Sequence, residues 1–299
     1  MEDLQILDGG MGHELRRIGA PFSRPLWSAE ALLKSPEMVL QVHRSYIESG
    51  ADIITTNSYA CVPFHLGDQL FHERGAQLAR LAAELAAKAT ESVKRPVMVA
   101  ASLPPAMGSY RPDLFDKRPA QPITRALVDA QRDYVDLWLA ETVSSLAEFE
   151  STAEVLADET KPVYYSFTLD DQAESPRLRS GELVTEVAQR VCQTGATGLM
   201  FNCSVPEIMA AAVEKAKAVV DGQSSSLALG VYANKFTPIK STQDSRSQEI
   251  EFRAIEPDEY LTYAREWRTL GATIIGGCCG IGPEYIRELS RWKRQSGLL

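Results

Sequence analysis

The stretch "GATIIGGCCGIGPEYI" (Gly271–Ile286) decides how the rest of the chain is read. It opens on a glycine that ends an amphipathic segment. It then runs through the apolar, partly β-branched Ala-Thr-Ile-Ile, breaks at a glycine-rich turn and restarts at Pro283. A glycine in the left-handed conformation ends a helix, and proline is preferred at a helix's first position. The stretch is therefore helix end, strand, loop and helix start. The same junction recurs in "ESGADII" and "QTGATGLM", so Gly50, Gly195 and Gly271 are all expected to take the left-handed conformation.

Working outward, eight short apolar runs are candidate strands: "LQILDGG", "ADIITTNSY", "PVMVAAS", "LWLAET", "PVYYSFT", "GLMFNC", "LALGVYAN" and "ATIIGGC". Most lack polar/apolar alternation, as expected of parallel strands buried on both faces. Amphipathic segments lie between them. "SPEMVLQVHRSYIESG" has Ser35 as N-cap and Pro36 at the first helical position, "ERGAQLARLAAELAAKATESVK" has Leu78, Leu81 and Leu85 on one face, and further helices begin near Pro206, Pro257 and Pro283. Eight strand–helix units in 299 residues fit an α/β fold of the (β/α)8 TIM-barrel type, which typically takes ~250 residues. The alternative, a doubly wound open sheet, is disfavoured because no G-x-G-x-x-G follows the first strand and because polar residues gather at nearly every strand's C-terminal end. Residues 103–122 and 235–252 read as irregular loops, the first able to cover a site. The strand–helix rhythm resumes after each, so residues 1–299 are expected to form a single domain.

Composition narrows the class. The chain is 44% hydrophobic and 24% charged, with a formal net charge of −9. A negative surface disfavours nucleic-acid and anionic-membrane partners. The start carries no basic, apolar leader, and no apolar run is long enough to span a bilayer. Five cysteines are too few for a disulfide scaffold, which points to a reducing, cytoplasmic setting.

In such a barrel the strand ends meet on one face, and that face carries the chemistry. The ends supply Asp8, Asn57, Ser102, Glu141, Thr168, Asn202 with Cys203, Asn234, and Cys278 with Cys279. Three thiols from the sixth and eighth strands can converge. Soft thiolates select zinc, and three protein ligands leave a fourth position open for catalysis. Helix starts at Pro206 and Pro283 would favour thiolate over thiol. The competing reading is that cysteines are small buried hydrophobes, the role expected of Cys61 and Cys192. The spacing is not that of a C-x-x-C site, and the residues by themselves leave both readings open. A disulfide between Cys278 and Cys279 is disfavoured, since it needs a distorted peptide. Asp8 and Glu141 end apolar strands, where a charge must be paired. They serve either as rim caps and salt bridges or as captors of a ligand's ammonium. Of the histidines, His43 is expected to be packed or solvated within a helix, and His65 and His72 to lie in a loop facing the site.

Taken together, "LDGGMGHEL", "LWSAEAL", "GADIITTNSYA", "ETVSSLAE", "SFT", "FNCSVPE", "LGVYAN" and "GGCCGIGPEYI" resemble the homocysteine S-methyltransferase family along nearly the whole chain. The resemblance implies a (β/α)8 barrel binding zinc through Cys203, Cys278 and Cys279, with homocysteine's amino-acid part held near Asp8, Gly9 and Glu141. It implies methyl transfer from a sulfonium donor, S-methylmethionine or S-adenosylmethionine, to homocysteine's thiol, forming methionine. Partners would be small molecules only. Three stretches depart from the family pattern: "ASLPPAMGSYRPDLF" where a Gly-Pro-Tyr-Gly-like turn is expected, His13 in the first motif, and "ACVPFHLG". They would line the donor side of the mouth, so another sulfonium, a betaine-like amine or selenocysteine as substrate are the alternatives, followed by a non-catalytic zinc- or amino-acid-binding barrel. No cobalamin or folate module is recognised, nor the extra C-terminal segment of betaine-using members.

Overall fold

The computed structural model describes residues 3–239 and 251–298. The strands are β1 (Gln5–Ile6), β2 (Ile53–Thr55), β3 (Met98–Leu103), β4 (Leu137–Val143), β5 (Val163–Phe167), β6 (Gly198–Asn202), β7 (Ala228–Ala233) and β8 (Ile274–Gly277). Every neighbouring pair is parallel, in the order β1-β8-β7-β6-β5-β4-β3-β2. The ring closes between β1 and β2 through a parallel bridge from Leu7 to Ile53 and through Asp8 N–H donating to the Ile53 carbonyl at 3.0 Å. The fold is the expected (β/α)8 barrel.

Two hydrophobic layers explain the run-like strands. Leu7, Ile53, Ala100, Leu137, Leu139, Met200, Tyr232 and Ile274 fill the barrel interior. The alternate residues face outward into the larger core between strands and helices. All seven residues of β4 are buried, which is why its sequence shows no alternation. In the helix Ala76–Thr90 the fully buried face is Leu78 with Ala79, Ala82, Ala83, Ala86 and Ala89. Leu81 and Leu85 flank it, half-buried.

The repeated helix-to-strand glycine holds at two of its three places. Gly50 and Gly271 have φ of 104° and 115°. Around each, two reverse hydrogen bonds close the helix end: Gly50 to Ile47 with Ala51 to Tyr46, and Gly271 to Arg268 with Ala272 to Trp267. That pairing requires a left-handed residue in between. Gly195 does not follow. The helix Val184–Cys192 ends instead at Gln193 in a right-handed conformation, its N–H bonded to Arg190. Ser35 occupies the N-cap position of Pro36–Ser49 without a side-chain cap bond.

The loop after β3 is shorter than expected. Pro112–Leu114 form a 3-10 turn, and a helix spans Lys117–Gln131. Asp116 starts it by accepting from the Arg118 N–H at 2.9 Å. That cap offsets only part of the helical bond forfeited at Pro122, and burial of Ala120, Leu127 and Val128 supplies the rest. Most of the stretch after β7, residues 240–250, lies outside the described residues.

Candidate active site

The strand ends open into a cleft of about 580 Å³, ample for small molecules. Asp8, Gly9, Glu141, Cys203, Cys278 and Cys279 all line it. Asn57 lines it too. Ser102, Thr168, Asn202 and Asn234 are buried behind it and support it.

The sulfur cluster is built by two turns. Cys203 follows β6 in the left-handed region, with φ of 52°, an uncommon conformation for a residue carrying a Cβ. Asn202 fixes the chain just before it. Its side-chain oxygen accepts from Thr142 N–H and Ser166 Oγ, both at 2.9 Å, and its amide donates to Thr142 Oγ1 at 2.9 Å. Cys278 and Cys279 follow β8, where the Cys278 N–H donates to the Ala233 carbonyl at 2.9 Å. The first strand's loop passes directly against this turn, and a Cβ on Gly10 would lie 2.6 Å from the Cys278 carbonyl oxygen. Only glycine allows that approach.

The three Sγ atoms lie within 4.8 Å of one another. Cys203 is 3.9 Å from Cys279 and 3.0 Å from Cys278, and Cys278 is 4.0 Å from Cys279. A tetrahedral zinc with Zn–S near 2.3 Å sets its sulfurs about 3.8 Å apart. Two edges match, and the third, a thiol-to-thiolate hydrogen bond, has to open by roughly 0.8 Å for that geometry. Hydrogen bonds from Cys278 and Cys279, then from Tyr110 and Asn234, hold Cys203 well below the usual thiol range despite its burial. Its two neighbours, donating to it, are pushed well above that range. The residues therefore fit a soft divalent ion. The helices Pro206–Gly222 and Pro283–Gln295 begin just after the two turns, as expected.

Two buried carboxyls line the same cleft. Asp8 accepts from Thr55 N–H at 2.8 Å and Thr55 Oγ1 at 3.1 Å. Glu141 accepts from Ser102 Oγ at 2.5 Å and Tyr232 Oη at 3.3 Å. The β4–β5 register shifts between Ala140 and Val143, around Glu141. Burial pushes Asp8 well above the usual carboxylate range, opposed by its Thr55 bonds and assisted by the Glu141 charge. Burial likewise pushes Glu141 up to about 7. Neither acid appears in an ion pair among the described residues. Salt bridging therefore does not account for them, whereas Asp8 does cap the end of β2 through the Thr55 N–H. A cationic group would satisfy both carboxylates.

The mouth is aromatic: Phe22, Trp27, Tyr59, His65 and Tyr110 line it. Tyr110 comes from the irregular loop after β3, and its hydroxyl lies 2.9 Å from Cys203 Sγ. His65 faces the cleft as expected, from the short helix Pro63–Leu66, its Nδ1 donating to the Pro25 carbonyl at 3.1 Å. His72 does not line it. His43 is fully buried, and burial lowers its pKa to about 3. Cys61 is buried, its thiol pushed up to about 12, and Cys192 is half-buried. Sequence reasoning missed Tyr110, Thr55 and Tyr232. Each left a signal: Tyr110 lies in the loop expected to cover the site, and Thr55 and Tyr232 lie within the strand-end stretches "GADIITTNSYA" and "LGVYAN".

Comparison with known proteins agrees with this architecture. The profile of the homocysteine S-methyltransferase family matches residues 5–292. Homocysteine S-methyltransferase 1 of Arabidopsis thaliana is 29% identical over 315 residues, covering 96% of this chain and 92% of the relative. Selenocysteine Se-methyltransferase of Brassica oleracea var. italica is 28% identical, covering 96% and 88%. The metallated form of the homocysteine methyltransferase MmuM from Escherichia coli superposes with a TM-score of 0.80 at 29% identity, covering 97% and 96%. With a profile match from β1 to the last helix, and a site built on its own strand ends, this chain belongs to the homocysteine S-methyltransferase family of methyltransferases.

Proposed function

We propose that this protein transfers a methyl group from a sulfonium donor to the thiol of homocysteine, forming methionine, with zinc held by Cys203, Cys278 and Cys279. The observation that carries the reading is the convergence of three sulfurs in one cleft with two buried carboxyls that form no ion pair among the described residues. Zinc, when bound, supplies the Lewis acidity that lets a substrate thiol lose its proton at neutral pH. Asp8 and Glu141 take the substrate's α-ammonium, with the Gly9–Gly10 turn as the wall beside them. Pairing with that cation keeps both carboxyls ionised against the cost of burial.

The aromatic mouth suits a positively charged donor, because ring faces attract cations. Phe22, Trp27 and Tyr59 also keep water from the reacting atoms. As methyl passes from sulfonium to thiolate, opposite charges cancel, so a water-poor site favours the transfer. The leaving group is a neutral thioether and needs no proton. The protein's remaining task is in-line alignment. S-methylmethionine and S-adenosylmethionine both meet these requirements. A second reading puts selenocysteine in the acceptor's place, since a relative of similar identity is a selenocysteine Se-methyltransferase. Three thiols that must stay reduced suit a cytoplasmic setting. No helix among the described residues is long and apolar enough to cross a membrane.

The test is to purify the protein, measure its metal content and assay methionine formation from homocysteine with each sulfonium donor, then repeat with selenocysteine. Metal-loaded protein that demethylates neither donor would sink the proposal. Faster turnover of selenocysteine than of homocysteine would transfer it to the second reading.

A further inference from the structure

We infer that Tyr110 is a positioning residue for Cys203, holding its sulfur through the phenol and itself held by the buried Asp171–Arg179 ion pair. The inference rests on the proposal that Cys203 ligates a metal. With Cys203 as a thiolate, only the phenol can donate across the 2.9 Å contact. The ring that carries it is fixed from behind. The Arg179 guanidinium lies 4.6 Å from the ring centroid, close enough for a desolvated cation–π contact.

Arg179 is itself immobilised. Its Nη2 donates to Asp171 Oδ2 at 3.2 Å, its Nε to Thr168 Oγ1 at 3.1 Å and its Nη1 to the Ile239 carbonyl at 3.2 Å. The Arg179 and Asp171 side chains are both 0% exposed. Asp171 also accepts the N–H of Val205, two residues after Cys203, at 3.0 Å, and Thr168 Oγ1 reaches the Cys203 carbonyl at 3.3 Å. One buried pair therefore grips the backbone around Cys203 and the phenol in front of its sulfur. A buried ion pair contributes little net stability. What this one supplies is a cation at a fixed place, joining the loop after β3 to the sulfur cluster.

A hydrogen bond to a ligating thiolate draws charge from sulfur and fixes its direction. Losing such an outer partner typically weakens metal binding about 10- to 100-fold. The experiment uses Tyr110→Phe, which removes one oxygen and keeps the ring on Arg179. In the cobalt-substituted protein, the sulfur-to-cobalt charge-transfer band should move to longer wavelength, because the sulfur lone pair rises in energy. Zinc affinity, measured by chelator competition, should fall about tenfold or more. Arg179→Lys keeps the charge but loses the planar stack, and should shift the band the same way by less. An unshifted band and unchanged affinity in Tyr110→Phe would overturn the inference while leaving the metal site standing. A wild-type protein that binds neither cobalt nor zinc overturns the metal reading and this inference together.

Discussion

Replacing Glu141 with glutamine should make the ligand-free protein more stable and, at the same time, unable to hold its amino-acid substrate. The side chain is 8% exposed, and burial raises its pKa from 4.5 to about 7. That rise corresponds to about 3 kcal/mol of unfavourable ionisation in the folded state. The unfolded carboxyl releases its proton near 4.5, whereas the folded one keeps it until about 7. Its contribution to stability is therefore fully present below the lower value and lost as pH rises through the higher one. Glutamine keeps the shape and can still accept from Ser102, but has no charge to bury. The two proteins should melt together near the lower pH. By pH 8 Glu141→Gln should melt roughly 6 °C higher, at about 2 °C per kcal/mol for a chain of this size. In calorimetric titration at pH 8, homocysteine should bind the variant more weakly by about 2–5 kcal/mol, as expected when one partner of a buried charge pair is removed. Melting curves that run parallel across the pH range would refute the burial argument. Undiminished homocysteine affinity would refute the role given to the carboxylate.

Three further outcomes follow from the structure. Cys279→Ala removes one of the three proposed soft ligands, so metal content after dialysis and methyl transfer should both be lost; retention of stoichiometric zinc would contradict the proposed ligand set. Gly10→Ala sets a Cβ 2.6 Å from the Cys278 carbonyl oxygen, so the cysteine turn must shift, and metal affinity should drop with a stability loss of about 1–3 kcal/mol. His43 is fully buried with neither ring nitrogen hydrogen-bonded, and His43→Leu should stabilise the protein by about 1–3 kcal/mol at pH 7. Because its folded pKa lies near 3 rather than 6.5, the wild type should lose stability as pH falls from 6.5 towards 3. The leucine variant should lose less across that window, which chemical denaturation at several pH values would show.

The parts legible in the sequence share a cause. Runs such as "LWLAET" lack alternation because both faces of β4 are buried, and eight such runs separated by amphipathic segments imply a barrel. Its strand ends then named the three cysteines and both carboxyls, because a parallel barrel brings all its C-terminal ends to one rim. The Gly195 expectation failed because a glycine permits a left-handed turn without requiring one. The helix before it closes with right-handed residues at Gln193. The loop after β3 was overextended because its proline-rich composition hid the cap at Asp116.

Local chemistry thus fixed the elements, their order and the residue types at the rim, all of which depend on neighbours along the chain. The tertiary structure decided whether the sulfurs meet, since residues 203 and 278 are adjacent only once β6, β7 and β8 pair. It also decided which carboxyls go unpaired and which loop side chains reach the cluster. Tyr110 and Arg179 sit on separate crossover loops whose paths no periodicity encodes. The contact of Tyr110 with Cys203, and of Arg179 with Tyr110, depends on a burial pattern set by the whole barrel.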